Sequence, residues 1–171
     1  LGHAAQSIVD GASFDNDVLC IGEKACVAVD AIYDKLIREM TNRGAHLIRR
    51  HETQLLVDTA IKGDAMNAEM IGKDAAVILE AAGIRASNDA LIVLVEVDED
   101  HVLVTEELLM PIVPIVRARD FDDAVRIAKK TEAGRGHTAM IHTQRIDRIR
   151  AFSRRMEVGI LVANVKSKKI V

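Results

Sequence analysis

Apolar positions along the chain follow two alternating rhythms, a helical spacing of three and four and short unbroken runs, with glycine and acidic residues between them. Ala4, Ala5, Ile8, Val9 and Ala12 recur at helical spacing, and the breakers from Gly11 to Asn16 then end that helix in a loop. The run KACVAVD (24–30) reads as a buried strand, with Asp30 placed to cap a following helix over Ala31–Arg43. That helix buries Ile32, Leu36, Ile37 and Met40 and stops at Gly44. Two further helices are expected near Glu52–Lys62 and Asp74–Ala82, with Gly63 and Gly83 as their C-terminal caps. ALIVLVEVD (90–98) is the clearest strand.

The second half keeps alternating. A strand PIVPIVRA (111–118) leads to a helix Phe121–Lys130 capped by Asp120, then a strand HTAMIHT (137–143), a helix Gln144–Met156 and a strand GILVANV (159–165). Ile146, Ile149, Phe152, Ser153 and Met156 form the expected buried stripe of the last helix. Five strands separated by helices need crossover connections. The expected fold class is α/β, three layers, with a mostly parallel sheet and helices on both faces.

Composition narrows the function classes. A chain of 171 residues, 49% of them hydrophobic, can close one substantial core and reads as a single domain over 1–171. A net charge of −3 from 23 basic and 26 acidic residues gives no field pointing to nucleic acid or to an anionic membrane. With 2% aromatic residues and no Trp, the chain lacks a stacking platform for single strands, so no nucleic-acid partner is expected. No apolar run is long enough to span a bilayer, and no membrane partner is expected. Two cysteines fall short of a disulfide framework, which points to free thiols and a reducing, cytoplasmic setting.

Chemistry concentrates in a few loops. In FDNDVLCIGEK, Cys20 stands before a strand, next to Gly22 and after Asn16 and Asp17, where free backbone N–H groups can face a ligand. It reads as a nucleophile, or as a small hydrophobe. Cys26, inside the strand, reads as packing, and Lys24 is the only cation near Cys20 in sequence. The Asn16 amide can donate to a developing oxyanion, or serve as a turn residue. His137, after the glycine-rich EAGRG, is a candidate proton carrier or a structural histidine. Glu107 can accept hydrogen bonds from ligand hydroxyls, or belong with Glu106 to a solvated loop. His46 and His51 complete no metal set, so no metal site is expected. No GxxxxGK or GxGxxG phosphate loop is present.

Three blocks taken together, AAQSIVDGASFDNDVLCIGEK (4–24), EELLMPIVPIVRARDFDDAVRIAKKTEAGRGHTAMIHT (106–143) and GILVAN (159–164), resemble the catalytic domain of the aldehyde dehydrogenase superfamily. Within it they are most similar to the CoA-acylating branch, the acetaldehyde and propionaldehyde dehydrogenases of ethanolamine and propanediol utilisation and the aldehyde domain of bifunctional aldehyde-alcohol dehydrogenases. The resemblance implies that Cys20 attacks an aldehyde, that hydride passes to NAD, and that the resulting thioester passes its acyl group to coenzyme A. It implies that Asn16 shapes the cysteine loop, that Glu107 and Gly22 lie on the cofactor side and that His137 is a proton carrier near the thiol. It further implies that the cofactor-binding Rossmann domain of the family is absent from this chain. Short aliphatic aldehydes and coenzyme A are the implied partners, with a homo-oligomer and a bacterial microcompartment as the implied setting. Two alternatives remain open at this point. The chain could be an idle assembly module with the same fold, or belong to the hydrolytic branch, whose water-activating glutamate lies outside these residues.

Overall fold

A computed structural model describes residues 1–63 and 65–169. In chain order the elements are α1 (Gly2–Ala12), β1 (Cys26–Val29), α2 (Tyr33–Thr41), β2 (Ala45–Leu47), α3 (Thr53–Ala60), β3 (Ile61–Lys62), β4 (Ala65–Met66), α4 (Ala75–Ala81), β5 (Ile92–Glu96), a single turn α5 (Val102–Thr105), β6 (Ile112–Ala118), α6 (Phe121–Glu132), β7 (Thr138–Ile141), α7 (Ile146–Arg155) and β8 (Ile160–Ala163). The main sheet has the order β1-β6-β5-β2, and every pairing in it is parallel. β7 and β8 form a separate parallel pair, and β3 and β4 a short antiparallel one.

The unbroken apolar runs of β5 and β6 follow from burial on both faces. Successive side chains of a strand point to opposite sides. Ile92 and Leu94 of β5 join Val113 and Ile115 of β6 in a cluster with Ile8 and Val9 of α1 and Leu36 and Met40 of α2. The intervening Val93 and Val95, with Ile112, pack instead on Leu56 of α3 and on Ile78 and Leu79 of α4. The architecture is therefore three-layered α/β, as the sequence implies. α6 adds Ile127 against Val116 and Ala118, and α7 closes over α6 through Phe152, Met156 and Val125.

Five local expectations are corrected. Ile32, expected on the buried face of the second helix, is 38% exposed, because α2 begins only at Tyr33 and buries that ring instead. Besides the expected five strands, the chain forms β2, β3 and β4, all three residues or fewer, too short for an alternation to register. Asp30 caps nothing. Its carboxylate accepts from Arg117 Nη1 at 2.6 Å, because the β1·β6 register sets Arg117 opposite Ala28, two residues away. Gly63, with φ +64, stands after β3 rather than ending α3, whereas Gly83, with φ +69, does close α4 by donating to Glu80 O. Ile146 is 73% exposed and Ser153 is also exposed, so the stripe of α7 reduces to Phe152, Met156 and the half-buried Ile149.

Gly11 in α1 is a packing requirement. A methyl group there would overlap the buried Glu23 carboxylate, whose oxygens accept from Ser167 N at 3.0 Å and from Ser167 Oγ at 2.6 Å. Gly11→Ala is expected to destabilise the fold by about 1–3 kcal/mol, the scale of overpacking a close-fitted interior, as read from thermal or urea unfolding.

Candidate active site

The loop between α1 and β1 is wound by three successive residues in the left-handed region, Asp15, Asn16 and Asp17, with φ of 50°, 50° and 60°. Asn and Asp tolerate this conformation better than other non-glycine residues, which fits the DND of the sequence. Asn16 anchors the winding by donating from Nδ2 to Gly72 O at 3.0 Å and to Asp74 Oδ1 at 2.8 Å. Both amide hydrogens are thereby committed. The catalytic reading of Asn16 as an oxyanion donor is therefore corrected, and its amide shapes the loop.

Next comes a β-turn, Leu19–Gly22, closed by Gly22 N–H donating to Leu19 O at 3.0 Å. Cys20 sits at its corner and is exposed. Cys26 is buried in β1, and burial pushes its thiol up to about 12. The two thiols of the chain are thus chemically distinct.

Beneath the turn lies Asp17, 1% exposed. Any methyl at Gly22 would overlap Asp17 Oδ1, so the missing side chain of Gly22 makes room for the carboxyl. Oδ1 has no hydrogen-bond partner among the described residues. Lys24 is its nearest charge, with Nζ at 3.5 Å from Oδ1 and donating to the Asp17 backbone carbonyl. Burial pushes Asp17 up to about 8 against the opposing attraction of Lys24, and Glu23 and Glu107 add to the rise.

The same ammonium reaches Glu107 Oε1 at 3.9 Å. Lys24 turns toward these two acids, and no hydrogen bond or ion pair joins it to Cys20 among the described residues. Thr105, two residues before Glu107, accepts from Arg135 Nη2 at 3.0 Å, which draws in the glycine-rich loop carrying His137. His137 is exposed, its N–H donates to Glu132 Oε1 at 3.2 Å, and its Nδ1 lies 2.7 Å from Thr138 Oγ1. No hydrogen bond links His137 to Cys20 among the described residues.

The loops carrying Cys20 and Glu107 precede β1 and β6, neighbouring parallel strands, so these two groups lie at one edge of the main sheet, whereas His137 precedes β7 of the separate pair. Open α/β sheets commonly bind ligands at the carboxyl ends. Sequence reasoning missed Asp17 as a site residue, since a buried acid inside a polar run carries no distinguishing mark. Among the described residues no cluster of His, Cys, Asp and Glu could hold a metal ion, and no helix is long and apolar enough to cross a membrane.

A model described as the aldehyde dehydrogenase family matches residues 1–170. Propanal dehydrogenase (CoA-propanoylating) of Citrobacter freundii is 38% identical over 164 residues, which cover 94% of this chain and 35% of that protein. A propionaldehyde dehydrogenase from the fucose utilisation bacterial microcompartment of Clostridium phytofermentans superposes with a TM-score of 0.94 at 38% identity, over 97% of this chain and 38% of that one. That of Rhodopseudomonas palustris, solved with bound CoA and an acylated cysteine, gives a TM-score of 0.94 at 34% identity, over 97% of this chain and 38% of that one. The chain spans about a third of the length of these relatives.

Iodoacetamide is expected to modify Cys20 and to spare Cys26 in the folded protein, as peptide mapping would show. Preferential labelling of Cys26 would contradict the burial of β1. Asp17 also sets a pH dependence of stability. Its folded value of about 8 lies above the ordinary carboxylate value near 4, so the folded state binds the extra proton between them. Stability from this group is full below about pH 4 and is lost as pH rises to about 8. Melting curves of Asp17→Asn should show a flatter pH dependence over that window than the parent.

Proposed function

The chain belongs to the aldehyde dehydrogenase family, and on that premise we propose that it is the thiol-bearing part of a CoA-acylating enzyme that oxidises short aliphatic aldehydes to acyl-CoA. The observation that carries the reading is the exposed thiol of Cys20 at the corner of a turn, with Glu107 brought beside that loop by Lys24.

In this reading the Cys20 thiolate attacks the aldehyde carbon and forms a thiohemiacetal. Loss of hydride converts it to a thioester on the same sulfur, and the thiol of coenzyme A then takes the acyl group and frees Cys20. NAD, when bound, supplies the hydride acceptor. The residues fit part of that cofactor. Glu107 is half-exposed and free to accept from ribose hydroxyls on one oxygen while Lys24 approaches the other, whereas no glycine-rich phosphate loop occurs in the sequence. Gly22, on the cofactor side in this reading, has no side chain, and the Asp17 carboxyl occupies the space beneath it. His137 carries protons for the thiol and for coenzyme A from the edge of β7.

Two further solved forms of the Clostridium phytofermentans enzyme support the assignment, one with a cysteine and one with a histidine replaced by alanine. Those two positions are separated in that sequence by one residue more than Cys20 and His137 are here. The microcompartment origin of that relative supports a bacterial microcompartment within the cytoplasm as the setting, with the enzyme self-associated there.

The test is turnover by the full-length protein with propanal and NAD, with and without coenzyme A. NADH and propanoyl-CoA should form together, and Cys20→Ser should lower both by roughly 10^3-fold or more, the scale of losing a covalent nucleophile, without loss of folding. Unimpaired turnover by Cys20→Ser would sink the reading. NADH formed at the same rate without coenzyme A, with free acid as product, would assign the protein to the hydrolytic branch.

A further inference from the structure

The carboxyl of Asp17 is an expensive group to bury. It sits in the same loop as the thiol, on the inner side of the turn that presents Cys20, and nothing in the acyl-transfer chemistry above uses it. Three observations bear on its role. The space it occupies exists only because residue 22 is glycine. Its Oδ1 is buried and accepts no hydrogen bond among the described residues, so the charged form is poorly supported where it lies. The one cation beside it, Lys24, is shared, with Glu107 on its far side at 3.9 Å and Asp17 at 3.5 Å.

We propose that Asp17 is a positioning residue for Cys20, a buried acid whose neutral form seats the Leu19–Gly22 turn and whose ionisation unseats it by drawing Lys24 away from Glu107. The inference rests on Cys20 being the reactive thiol. In the neutral state the carboxyl fills the hollow under Gly22 and leaves Lys24 free to hold Glu107 near the cysteine loop. On ionisation a negative charge appears beneath the turn, and the lysine, already bonded to the Asp17 carbonyl, closes on it. The charged groups that face Asp17 are Lys24, Glu23 and Glu107. Glu23 is itself held by Ser167, so Lys24 is the partner able to move. Because burial sets the proton affinity near 8, the change falls just above neutrality.

The experiment compares the rate of Cys20 alkylation by iodoacetamide in the full-length parent and in Asp17→Asn, an isosteric side chain that stays neutral. Taking the ratio of the two rates at each pH cancels the titration of the thiol itself. The ratio should lie near one at about pH 6, where both side chains are neutral, and rise several-fold in favour of Asp17→Asn by about pH 9. A purely structural role for Asp17 would give a ratio that is constant across pH, and that result would overturn the proposal. The seat itself is tested by a double variant. Gly22→Ala alone should lower the melting temperature at pH 6 by evicting the carboxyl, and Asp17→Ala in the same chain should restore most of the loss. Simply additive losses would show that the carboxyl does not rest there. Alkylation needs no aldehyde, NAD or coenzyme A. A protein that failed to make acyl-CoA yet showed the pH-dependent ratio would refute the enzymatic reading alone, and the converse would refute only the role of Asp17.

Discussion

The parallel pairing of β1 with β6 is the constraint on which the site depends. Strands that run side by side in the same direction bring the segments before them to the same edge, however far apart they lie in sequence. The register that sets Cys26 opposite Ile115 places the Cys20 loop next to the segment carrying Glu107, and Lys24 bridges the gap. Both strands are clamped between helical layers, so a slip of one residue would turn every core side chain to the wrong face. The position of the thiol relative to the acidic group is therefore fixed by the core and not by the loops themselves.

The loop adds its own cost. Three consecutive left-handed residues without glycine are unfavourable by about 1–3 kcal/mol each, and they persist only where surrounding contacts over-determine them. Those contacts are visible. The Asn16 amide reaches the segment before α4, Gly72 N–H donates to Leu109 O at the foot of β6, and Glu23 is tied to Ser167. The winding is thus braced from three directions, by parts of the chain that meet only after the main sheet has formed.

How much of this was legible in the sequence follows from the range of each interaction. The strands β5 and β6 and the helix α6 with its Asp120 cap are local patterns, and residue spacing carries them. The exposed Cys20 and buried Cys26 were distinguishable because one flanks glycine and turn residues and the other lies within an apolar run. The role of Asn16 and the burial of Asp17 were not legible from spacing, since both depend on residues 5 to 90 positions away that no local pattern reveals. Asp30 was misread for the same reason. Its preferred partner, Arg117, is brought in by sheet register and outcompetes the cap that local rules favour.

The tie between Glu23 and Ser167 joins positions 144 residues apart, alongside the ion pair of Lys166 with Asp10. Synthesis proceeds from the amino end, so during translation the cysteine loop emerges long before the serine that secures it. For that interval the carboxylate of Glu23 has only water to satisfy it, and burying it against Gly11 is unfavourable. The thiol loop is therefore secured only after β8 and Ser167 have been made and the segment folds back onto Glu23. Until then the loop that carries Cys20 lacks one of its three braces, and the sulfur reaches its final setting only when α1 and the segment after β8 have met.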